Sequence, residues 1–552
     1  MVRAEYNVKA DQFILEEFPE KLDLDVAIIG AGPNGLIAGA YLAKAGLRVG
    51  IFEKRQEIGG GLATEEILFP GYYSNPHAFY HMMVDYMPLF KDFNLGIHGI
   101  TFIKPNAQFG IIFRDKKSLL LCKYLQDSKD SIAKFSQADA DRFGQLMRQW
   151  RTIIDKIIAP GTYSKPLMPV DMIERFEATP LGKKVLALTE KSPVEIIDEN
   201  FENDQIKTAL LYAACMWGLD PTESGLGFMV PLMIDRAMNK AQCYGGSHKL
   251  AGALSREILQ NGGVVLDNAE VTAIEQEDGR VSGIRLFDGR SISAKVVISS
   301  LPPPITFGHM LQNVPVELKE VSKEWIWDKW SFYTLSVATY EEPVYDTDDP
   351  WINDALMVVM GFDSSDDVIN YFKGAMKSEL PNVLGGHASV ETKYDPTLSR
   401  VPGNHVSFFQ THVPYEVQNG WEDHKEDFTK KLLELWRSYA RNLGESEIIM
   451  SSSESPRDIE VRLASMVKGS IKHGDYDPLQ MGSFRPHDSC IGGKTPVEGL
   501  YLCGASSYPG GLIIGGPAYI AINTIADDLS ISRWWKTPNY IKEYEERYLY
   551  EN

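Results

Sequence analysis

The chain has 552 residues, of which 44% are hydrophobic and 24% are charged, and its formal net charge at pH 7 is -20. So acidic a chain argues against nucleic acid as a partner and against docking on anionic lipid by charge alone, because both reward basic patches. The length exceeds what one hydrophobic core usually supports, and we therefore expect two structural units.

The N-terminal segment, residues 1–20, carries acidic side chains along its length and has no continuous apolar run. A secretory signal needs an apolar centre of seven or more residues, so this segment does not fit one. We expect it to form a short extension that precedes the first strand.

A glycine-rich turn follows the first apolar run. Residues 26–29 suit a buried parallel strand, and Gly30, Gly32 and Gly35 supply the pattern G-x-G-x-x-G. In a dinucleotide-binding turn the first glycine permits the bend, the second lets backbone N–H groups approach a pyrophosphate, and the third lets the next helix pack closely on the strand. The phosphates then lie at a helix N-terminus, which favours negative charge. The pattern predicts a bound dinucleotide.

The residues after the second apolar run favour FAD over NAD. Residues 47–52 end at Glu53, about 20 residues after the turn, where an acid hydrogen-bonds the ribose hydroxyls. Arg55, the three glycines at 59–61 and Thr64 extend the motif beyond that acid. This arrangement resembles the second flavin signature of FAD oxidoreductases.

Similar segments recur farther along the chain. Residues 245–247 open a predicted helix, residues 264–271 and 281–300 predict strands that return to the same sheet, and residues 495–526 again give strand, glycine turn and helix. Together with the first motif they resemble the phytoene dehydrogenase-related family of flavoproteins, which includes carotenoid desaturases, isomerases and ketolases.

The resemblance implies an α/β fold with a Rossmann-like FAD-binding domain of the glutathione reductase/amine oxidase type. It also implies an inserted α+β substrate domain made of a mixed sheet and a helical cap. We expect the FAD-binding domain to be discontinuous, and a tail helix to follow it at residues 531–552. The predicted FAD-binding segments are 21–95, 240–310 and 455–530, and the predicted substrate-binding segments are 96–239 and 311–454.

The resemblance also assigns FAD-binding roles to three groups of residues. The first group is the glycine turn with its acid, the second is the flavin signature, and the third is the C-terminal glycine turn with one position on an intervening strand. The residues are Gly30, Gly32, Pro33, Asn34, Gly35, Glu53, Lys54, Arg55, Gly60, Gly61, Leu62, Thr64, Val271, Gly504, Pro509, Gly510, Gly511, Leu512 and Ile513.

Aromatic and imidazole side chains after the first flavin motif are candidates for the reaction itself. Loss of a hydride from an allylic C–H leaves a delocalised cation, and aromatic faces attract positive charge by ~0.5–2 kcal/mol each. We expect an apolar wall beside the flavin ring and name four residues as substrate contacts and two histidines as candidate proton acceptors, although buried structural roles are equally open to them. The substrate contacts are Tyr72, Tyr73, Tyr80 and Ile514, and the histidines are His77 and His81.

Several other classes of site and location are disfavoured. The five cysteines are scattered and give no zinc-ligand or dithiol spacing, so we predict no metal and a reducing, cytoplasmic compartment. The three long uncharged runs are interrupted by glycine turns or prolines, which argues against a transmembrane span but leaves peripheral membrane contact open.

The sequence therefore predicts a FAD-dependent dehydrogenase or desaturase that acts on an apolar substrate. The family resemblance implies an isoprenoid such as a terpene or carotenoid. Water capture by the same cation would give an allylic alcohol instead. Three alternatives stay open: a flavin amine oxidase, an isoprenoid saturase or isomerase that uses reduced FAD, and a prenyl-protein binding module of the GDP dissociation inhibitor type. The electron acceptor is open between oxygen, a quinone and a redox protein, and the oligomer between a homo-oligomer and a pairing with a related subunit.

Overall fold

The computed structural model describes residues 22–377, 380–381 and 383–550. The predicted extension at residues 1–20 lies outside the described residues. In chain order, the strands are β1 (Asp23–Ile29), β2 (Val49–Phe52), β3 (Phe102–Ile103), β4 (Ala107–Ile112), β5 (Ser118–Cys122), β6 (Gln242–Cys243), β7 (Val264–Leu266), β8 (Val271–Glu277), β9 (Arg280–Leu286), β10 (Ser291–Ser299), β11 (Ser331–Thr339), β12 (Val358–Met360), β13 (Gly386–Val390), β14 (His405–Val413), β15 (Ile448–Glu454) and β16 (Leu500–Leu502).

Six of the longer helices lie together between β5 and β6, and the others are spread among the remaining strands. Those of at least eight residues are α1 (Pro33–Lys44), α2 (Leu125–Ala133), α3 (Gln137–Ile153), α4 (Pro169–Glu177), α5 (Pro180–Thr189), α6 (Asp204–Cys215), α7 (Val230–Ala237), α8 (His248–Gln260), α9 (Val316–Glu324), α10 (Ser365–Ala375), α11 (Trp421–Tyr439), α12 (Gly516–Asp528) and α13 (Asn539–Tyr548).

The first large sheet has a parallel centre. Its strands lie in the order β7-β2-β1-β10-β9-β8, with β16 also pairing with β10. Strands β7, β2, β1, β10 and β16 are mutually parallel where they pair, whereas β8, β9 and β10 form antiparallel hairpins. Val26 and Ile28 face a core shared with α1, α8 and α12, and Ala27 and Ile29 face a second core on the opposite side. An uncharged run is needed there because both faces of β1 are buried.

The second large sheet is mixed and carries the helical cap. Its order is β15-β11-β14-β13-β12-β4-β5, and β12 pairs in parallel with β4 while the other pairs are antiparallel. Side chains of β5 alternate: Leu119 and Leu121 pack under helices α3 to α7, whereas Leu120 packs toward α11. The predicted α/β fold with an inserted mixed sheet and helical cap is confirmed.

The two sheets draw on separate stretches of chain. The first takes its strands from residues 23–52, 264–299 and 500–502, and the second from residues 107–122 and 331–454. The domain boundaries given in the sequence analysis remain predictions. At the C-terminal end, α13 occupies only residues 539–548 of the predicted tail helix, and Tyr548 packs against Phe176 with ring centroids 5.0 Å apart. Among the described helices, none combines the length and the apolar character that crossing a bilayer requires.

Candidate active site

A deep cavity opens where the parallel strands of the first sheet end. Ile29, Phe52 and Ser300 line it at the carboxyl ends of β1, β2 and β10, and Thr334 and Gln410 line it from the second sheet. The empty space there is about 1900 Å³, counting the part open to solvent. Ligands of open α/β sheets bind at this edge, because the strand-to-helix loops meet there.

The three glycines of the first turn meet three different constraints. Gly30 has a φ of +92°, in the left-handed region, and a Cβ at Gly35 would lie 2.1 Å from the Gly30 carbonyl oxygen. At Gly32 no heavy atom lies within 4 Å of the added Cβ, and Gly32 lines the cavity. The first and third positions are therefore fixed by the protein itself, whereas the second is open on the side where a ligand would lie.

Glu53 follows β2 and ties the turn to the flavin signature. Its Oε2 accepts a hydrogen bond from the Ala31 N–H at 2.9 Å, and its Oε1 accepts one from the Arg55 N–H at 3.0 Å. Burial raises the pKa of this carboxyl, and those backbone bonds act in the opposite direction. Glu53 lines the cavity, as the ribose-binding prediction requires.

Two buried polar atoms beside the turn have no hydrogen-bond partner in the described residues. They are Asn34 Oδ1 and Arg55 Nη1, and both side chains line the cavity. The other terminal nitrogen of Arg55 donates to Glu65. Open space at Gly32, an uncapped helix N-terminus at Pro33 and these unpaired atoms together fit the phosphates and ribose of a dinucleotide.

The C-terminal turn brings two apolar side chains to the same cavity in an unusual backbone conformation. Leu512 has a φ of +69° and Ile513 a φ of +54°, and both line the cavity beside Gly511. A β-branched residue in the left-handed region is strained, and such strain persists only where the surroundings hold it. The sequence-predicted wall thus consists of Leu512 and Ile513, whereas Ile514 lies outside the lining and its carbonyl accepts a hydrogen bond from the Tyr163 hydroxyl at 3.1 Å.

The predicted FAD residues fall into two sets. Gly30, Gly32, Pro33, Asn34, Glu53, Lys54, Arg55, Gly60, Gly61, Val271, Gly511, Leu512 and Ile513 line the cavity. The second set lies behind the lining and supports it: Gly35, Leu62, Thr64, Gly504, Pro509 and Gly510.

Thr64 and Gly504 show what this support consists of. The Thr64 hydroxyl donates to Asn75 Oδ1 at 2.8 Å and accepts from the His248 N–H at 3.2 Å, which fixes the start of α8. A Cβ at Gly504 would lie 2.2 Å from the Ser300 carbonyl oxygen. Only glycine therefore allows the segment after β16 to lie so close to the segment after β10.

Of the three predicted tyrosine contacts, the structure places only Tyr80 in the lining. The Tyr72 hydroxyl accepts a hydrogen bond from Asn404 Nδ2 at 2.7 Å, and its ring packs on Ala338 and Val406. Tyr73 packs on Leu398. The segment turns between residues 73 and 80, so these two rings are directed into the packing of the second sheet and away from the cavity.

The two candidate histidines differ in position. His77 lines the cavity, but Arg462 Nη2 lies 3.0 Å from its Nε2, and burial together with the nearby Arg462 and Arg55 charges holds the His77 pKa well below its usual range. His81 lies outside the lining, with Nε2 3.1 Å from Ser247 Oγ, and burial lowers its pKa to about 4. A guanidinium donor occupies the basic nitrogen of His77, and His81 does not reach the cavity, so this geometry gives no support to proton transfer by either one.

Sequence reasoning missed the residues that the second sheet and its helical cap contribute. Thr334, His387, Phe408 and Gln410 on the sheet, Met357 just before β12 and Trp217 just after α6 line the end of the cavity away from the glycine turn. Phe408 and Gln410 are two apart on β14 and therefore share one face, which is a signal that strand periodicity could have given. His387 is the register partner of Gln410 on the neighbouring strand, and no sequence pattern indicates that pairing.

Two buried cations, Lys472 and Arg485, lie next to the C-terminal turn. Lys472 is fully buried and forms an ion pair with Asp328, and its Nζ lies 4.8 Å from the ring centroids of Trp330 and Tyr476. Arg485 donates to the backbone carbonyls of Lys472, Gly474, Asp475 and Ala505, which fastens this loop to the residue after Gly504. Both cations are thus engaged by the protein.

Comparison with known proteins assigns the family. The model of the flavin-containing amine oxidoreductase family matches residues 34–338, more than half of the chain. The chain belongs to this family. It is a FAD-dependent oxidoreductase, and the predicted cofactor is confirmed.

Relatives of the chain include one subunit of the limonene dehydrogenase of Castellaniella defragrans, 35% identical over 94% of this chain and 97% of that protein. The 4,4'-diaponeurosporene oxygenase of Staphylococcus aureus strain USA300 is 22% identical over 88% of this chain and 94% of its own length. These relatives confirm the predicted resemblance to phytoene dehydrogenase-related flavoproteins. Among solved structures, a triple mutant of putrescine oxidase has a TM-score of 0.59 at 15% identity, covering 93% of this chain and 100% of that one, which shows a shared fold.

Proposed function

We propose that this protein removes a hydride from an apolar isoprenoid substrate and so introduces a double bond or an allylic hydroxyl group. The observation that carries the proposal is the lining of the far end of the cavity. Phe79, Tyr80, Trp217, Met357 and Phe408 supply its apolar surface there, beside the polar Thr334, His387 and Gln410. The name of the similar limonene dehydrogenase points to the same class of substrate.

The predicted FAD residues divide the work of holding the cofactor. Gly32 and the N-terminus of α1 would receive the pyrophosphate, Glu53 the ribose, and Leu512 and Ile513 would border the flavin ring. FAD supplies the two-electron acceptor for a hydride. We accordingly assign residues 21–95, 240–310 and 455–530 to the FAD-binding domain and residues 96–239 and 311–454 to the substrate-binding domain.

The far end of the cavity favours an apolar substrate over an amine. The carboxylates in the lining are Glu53 and Glu270, and both lie with the dinucleotide-binding residues of the first sheet. Lys240 is fully buried behind this end, with its Nζ 5.3 Å from the Tyr80 ring centroid. Among the described residues, a substrate ammonium would therefore meet no lining carboxylate there, whereas a hydrocarbon needs none. Aromatic faces stabilise a transient allylic cation by ~0.5–2 kcal/mol each.

We also propose that a second, related subunit takes part in the reaction. The similar limonene dehydrogenase chain is, by its name, one subunit of an enzyme. Co-purification with a related flavoprotein would support this assembly, and full turnover by the isolated chain would exclude the need for it. Oxygen, a quinone and a redox protein should be compared as electron acceptors in the same assay.

Anaerobic reduction of the bound FAD tests the proposal directly. The purified full-length protein is loaded with FAD and mixed with monoterpenes, carotenoids or amines, and the flavin absorbance is followed. Bleaching by an apolar isoprenoid, with a desaturated or hydroxylated product, is the expected result. Bleaching by amines alone would identify an amine oxidase, substrate turnover only after prior flavin reduction would identify a saturase or isomerase, and a colourless protein that takes up no FAD would overturn the redox role.

A further inference from the structure

His387 presents an unpaired ring nitrogen at the substrate end of the cavity. Its side chain is fully buried, it lines the cavity, and its Nε2 makes no well-aligned hydrogen bond within the described residues. Trp217 and Phe408 contact the ring edge-on, with centroid separations of 6.3 and 6.4 Å. A buried polar atom without a partner is rare, and here it faces the space that a substrate would occupy.

A second buried histidine, His412, lies near His387 and is fixed in one tautomer. His412 Nε2 lies 2.9 Å from the Met216 carbonyl oxygen, which can only accept, so Nε2 carries the hydrogen. Burial keeps the pKa of His412 well below its usual range, and its Nδ1 therefore accepts from the Tyr371 hydroxyl at 2.9 Å. His412 is thus fully hydrogen-bonded by the protein, whereas His387 is not.

Tyr212 is the hydrogen-bond partner of His387. Burial keeps the pKa of Tyr212 well above its usual range, so the hydroxyl stays protonated and can donate or accept. Its oxygen lies 2.9 Å from His387 Nδ1. In the tautomer with the hydrogen on Nδ1, the lone pair of Nε2 faces the cavity.

The groups around His387 keep the imidazole neutral. Burial lowers its pKa to about 3, the Lys240 charge acts in the same direction, and a weaker hydrogen-bonding contribution from the Gln410 side chain acts against both. Gln410 Nε2 donates to Thr334 Oγ1 at 3.0 Å, which leaves the amide oxygen as the free acceptor of that side chain. His473 also lines the cavity, but it belongs to the loop beside Gly511 at the cofactor end.

We propose that His387 Nε2 is the catalytic group that accepts the proton released when the oxidised substrate collapses to product. The inference rests on the proposed function and names the base for that reaction. After the hydride and its two electrons have left the allylic carbon for FAD, an adjacent C–H bond breaks, its electrons form the new C=C bond, and its proton goes to Nε2. In the hydroxylating variant a water oxygen forms the C–O bond and loses a proton to the same nitrogen.

A weakly basic imidazole is sufficient for this step. A C–H bond next to a carbocation, and an O–H bond of the alkyl-oxonium formed by water capture, are both far more acidic than an imidazolium ion. Proton transfer to Nε2 is therefore downhill even though burial weakens the base. A strong base is not needed, whereas the position of the acceptor beside the substrate is, because the cation would otherwise regain the hydride.

Substitution of His387 with imidazole rescue tests the inference. H387A and H387Q are prepared as full-length FAD-loaded proteins; glutamine keeps a polar group near the position of Nε2 but has no basicity. The matched control is H405Q, on β14 and outside the lining. Single-turnover product formation with the substrate that bleaches the wild-type flavin should fall about 100-fold in both His387 variants, with the flavin spectrum retained, and should be unchanged in H405Q.

Added imidazole should restore product formation in H387A, because the truncated side chain leaves room for it. Wild-type rates in H387A and H387Q, or a loss that imidazole does not reverse, would overturn the role of His387 while leaving the hydride-transfer function intact. If no isoprenoid reduces the wild-type flavin, the proposed function itself is wrong and the inference falls with it.

Discussion

Glu391 Oε2 accepts two hydrogen bonds from Asn75, one from the backbone N–H at 2.9 Å and one from Nδ2 at 2.8 Å. Asn75 lines the cavity beside the flavin signature, and Glu391 directly follows β13 of the second sheet. The Ser74 hydroxyl donates to the other carboxylate oxygen. This contact therefore joins the FAD-binding region to the substrate sheet through a carboxyl group that is fully buried.

The first prediction concerns the pH dependence of stability that this carboxyl causes. Burial raises the pKa of Glu391 from 4.5 to about 7. In the native state Glu391 therefore keeps its proton up to a higher pH than in the unfolded state. As the pH rises from about 4.5 through 7, the free energy of unfolding falls by about 3 kcal/mol on account of this group. The variant E391Q should lose less stability than the wild type between pH 5 and 8, measured by urea unfolding.

Asp475 must be considered in that comparison, because burial also raises its pKa to about 7. It is present in both proteins, so the difference between their stability profiles isolates Glu391. Parallel profiles for wild type and E391Q would show that Glu391 is ionised in the native state throughout this pH range.

The second prediction separates the folding role of the glycine turn from its binding role. Gly32 has φ −71° and ψ 175°, which any residue adopts, and its Cβ direction is open. The variant G32V should therefore fold with a melting temperature near that of the FAD-free wild type but fail to retain FAD, measured by flavin absorbance after gel filtration. G96V is the matched control, since Gly96 is exposed, away from the cavity, and equally open. A fully yellow, active G32V protein would contradict the placement of the pyrophosphate.

Local patterns made the FAD-binding half of the site predictable. The turn at Gly30 to Gly35, the acid at Glu53 and the signature from Arg55 all lie within one strand-helix-strand unit, so their spacing along the chain fixes their spacing in space. The same reasoning located Leu512 and Ile513. It also named Ile514 as a substrate contact; Ile514 lies outside the cavity lining, and that role stays a prediction.

The substrate half depends on pairing between distant strands, which no local pattern specifies. His387 and Gln410 meet only through the register of β13 and β14. An aromatic run such as Tyr72 to Tyr80 cannot reveal which rings face the core, since core packing and cavity lining require the same residue types. Pairing register, and with it the face of each strand, was therefore available only from the structure.

The third prediction concerns the ion pair between Lys472 and Asp328. Both side chains are almost inaccessible to solvent. Removal of Asp328 leaves the buried Lys472 with only Asp475, whose Oδ1 lies 3.9 Å from Nζ, and we expect D328A to lower the free energy of unfolding by about 3 kcal/mol, the lower end of the range for a broken buried pair. The double variant D328L/K472M should recover much of that loss, because it removes both buried charges. Thermal and urea unfolding of the three proteins measures the effect.

A surface pair provides the comparison for that experiment. Lys430 and Glu426 are one helical turn apart on α11 and both are exposed. E426A should leave the melting temperature nearly unchanged, since solvent and salt screen such pairs. Equal effects of D328A and E426A would contradict the assignment of Lys472 and Asp328 as a buried, mutually dependent pair.

The fourth prediction is a change of substrate size preference in Trp217 variants. Trp217 lines the far end of the cavity, 5.9 Å from Tyr80 and 6.3 Å from His387 between ring centroids. W217L should enlarge this end, weaken the packing of a small monocyclic terpene and admit longer isoprenoids. Differences of one or a few methylene groups in an apolar pocket are worth about 1–3 kcal/mol, so the ratio of kcat/KM values for large and small substrates should shift by roughly 10–200-fold. The control variant is W330L. Trp330 lies in the neighbouring aromatic core but outside the lining, so W330L should lower stability without changing the ratio of kcat/KM values. An unchanged ratio in W217L would place the substrate elsewhere in the cavity.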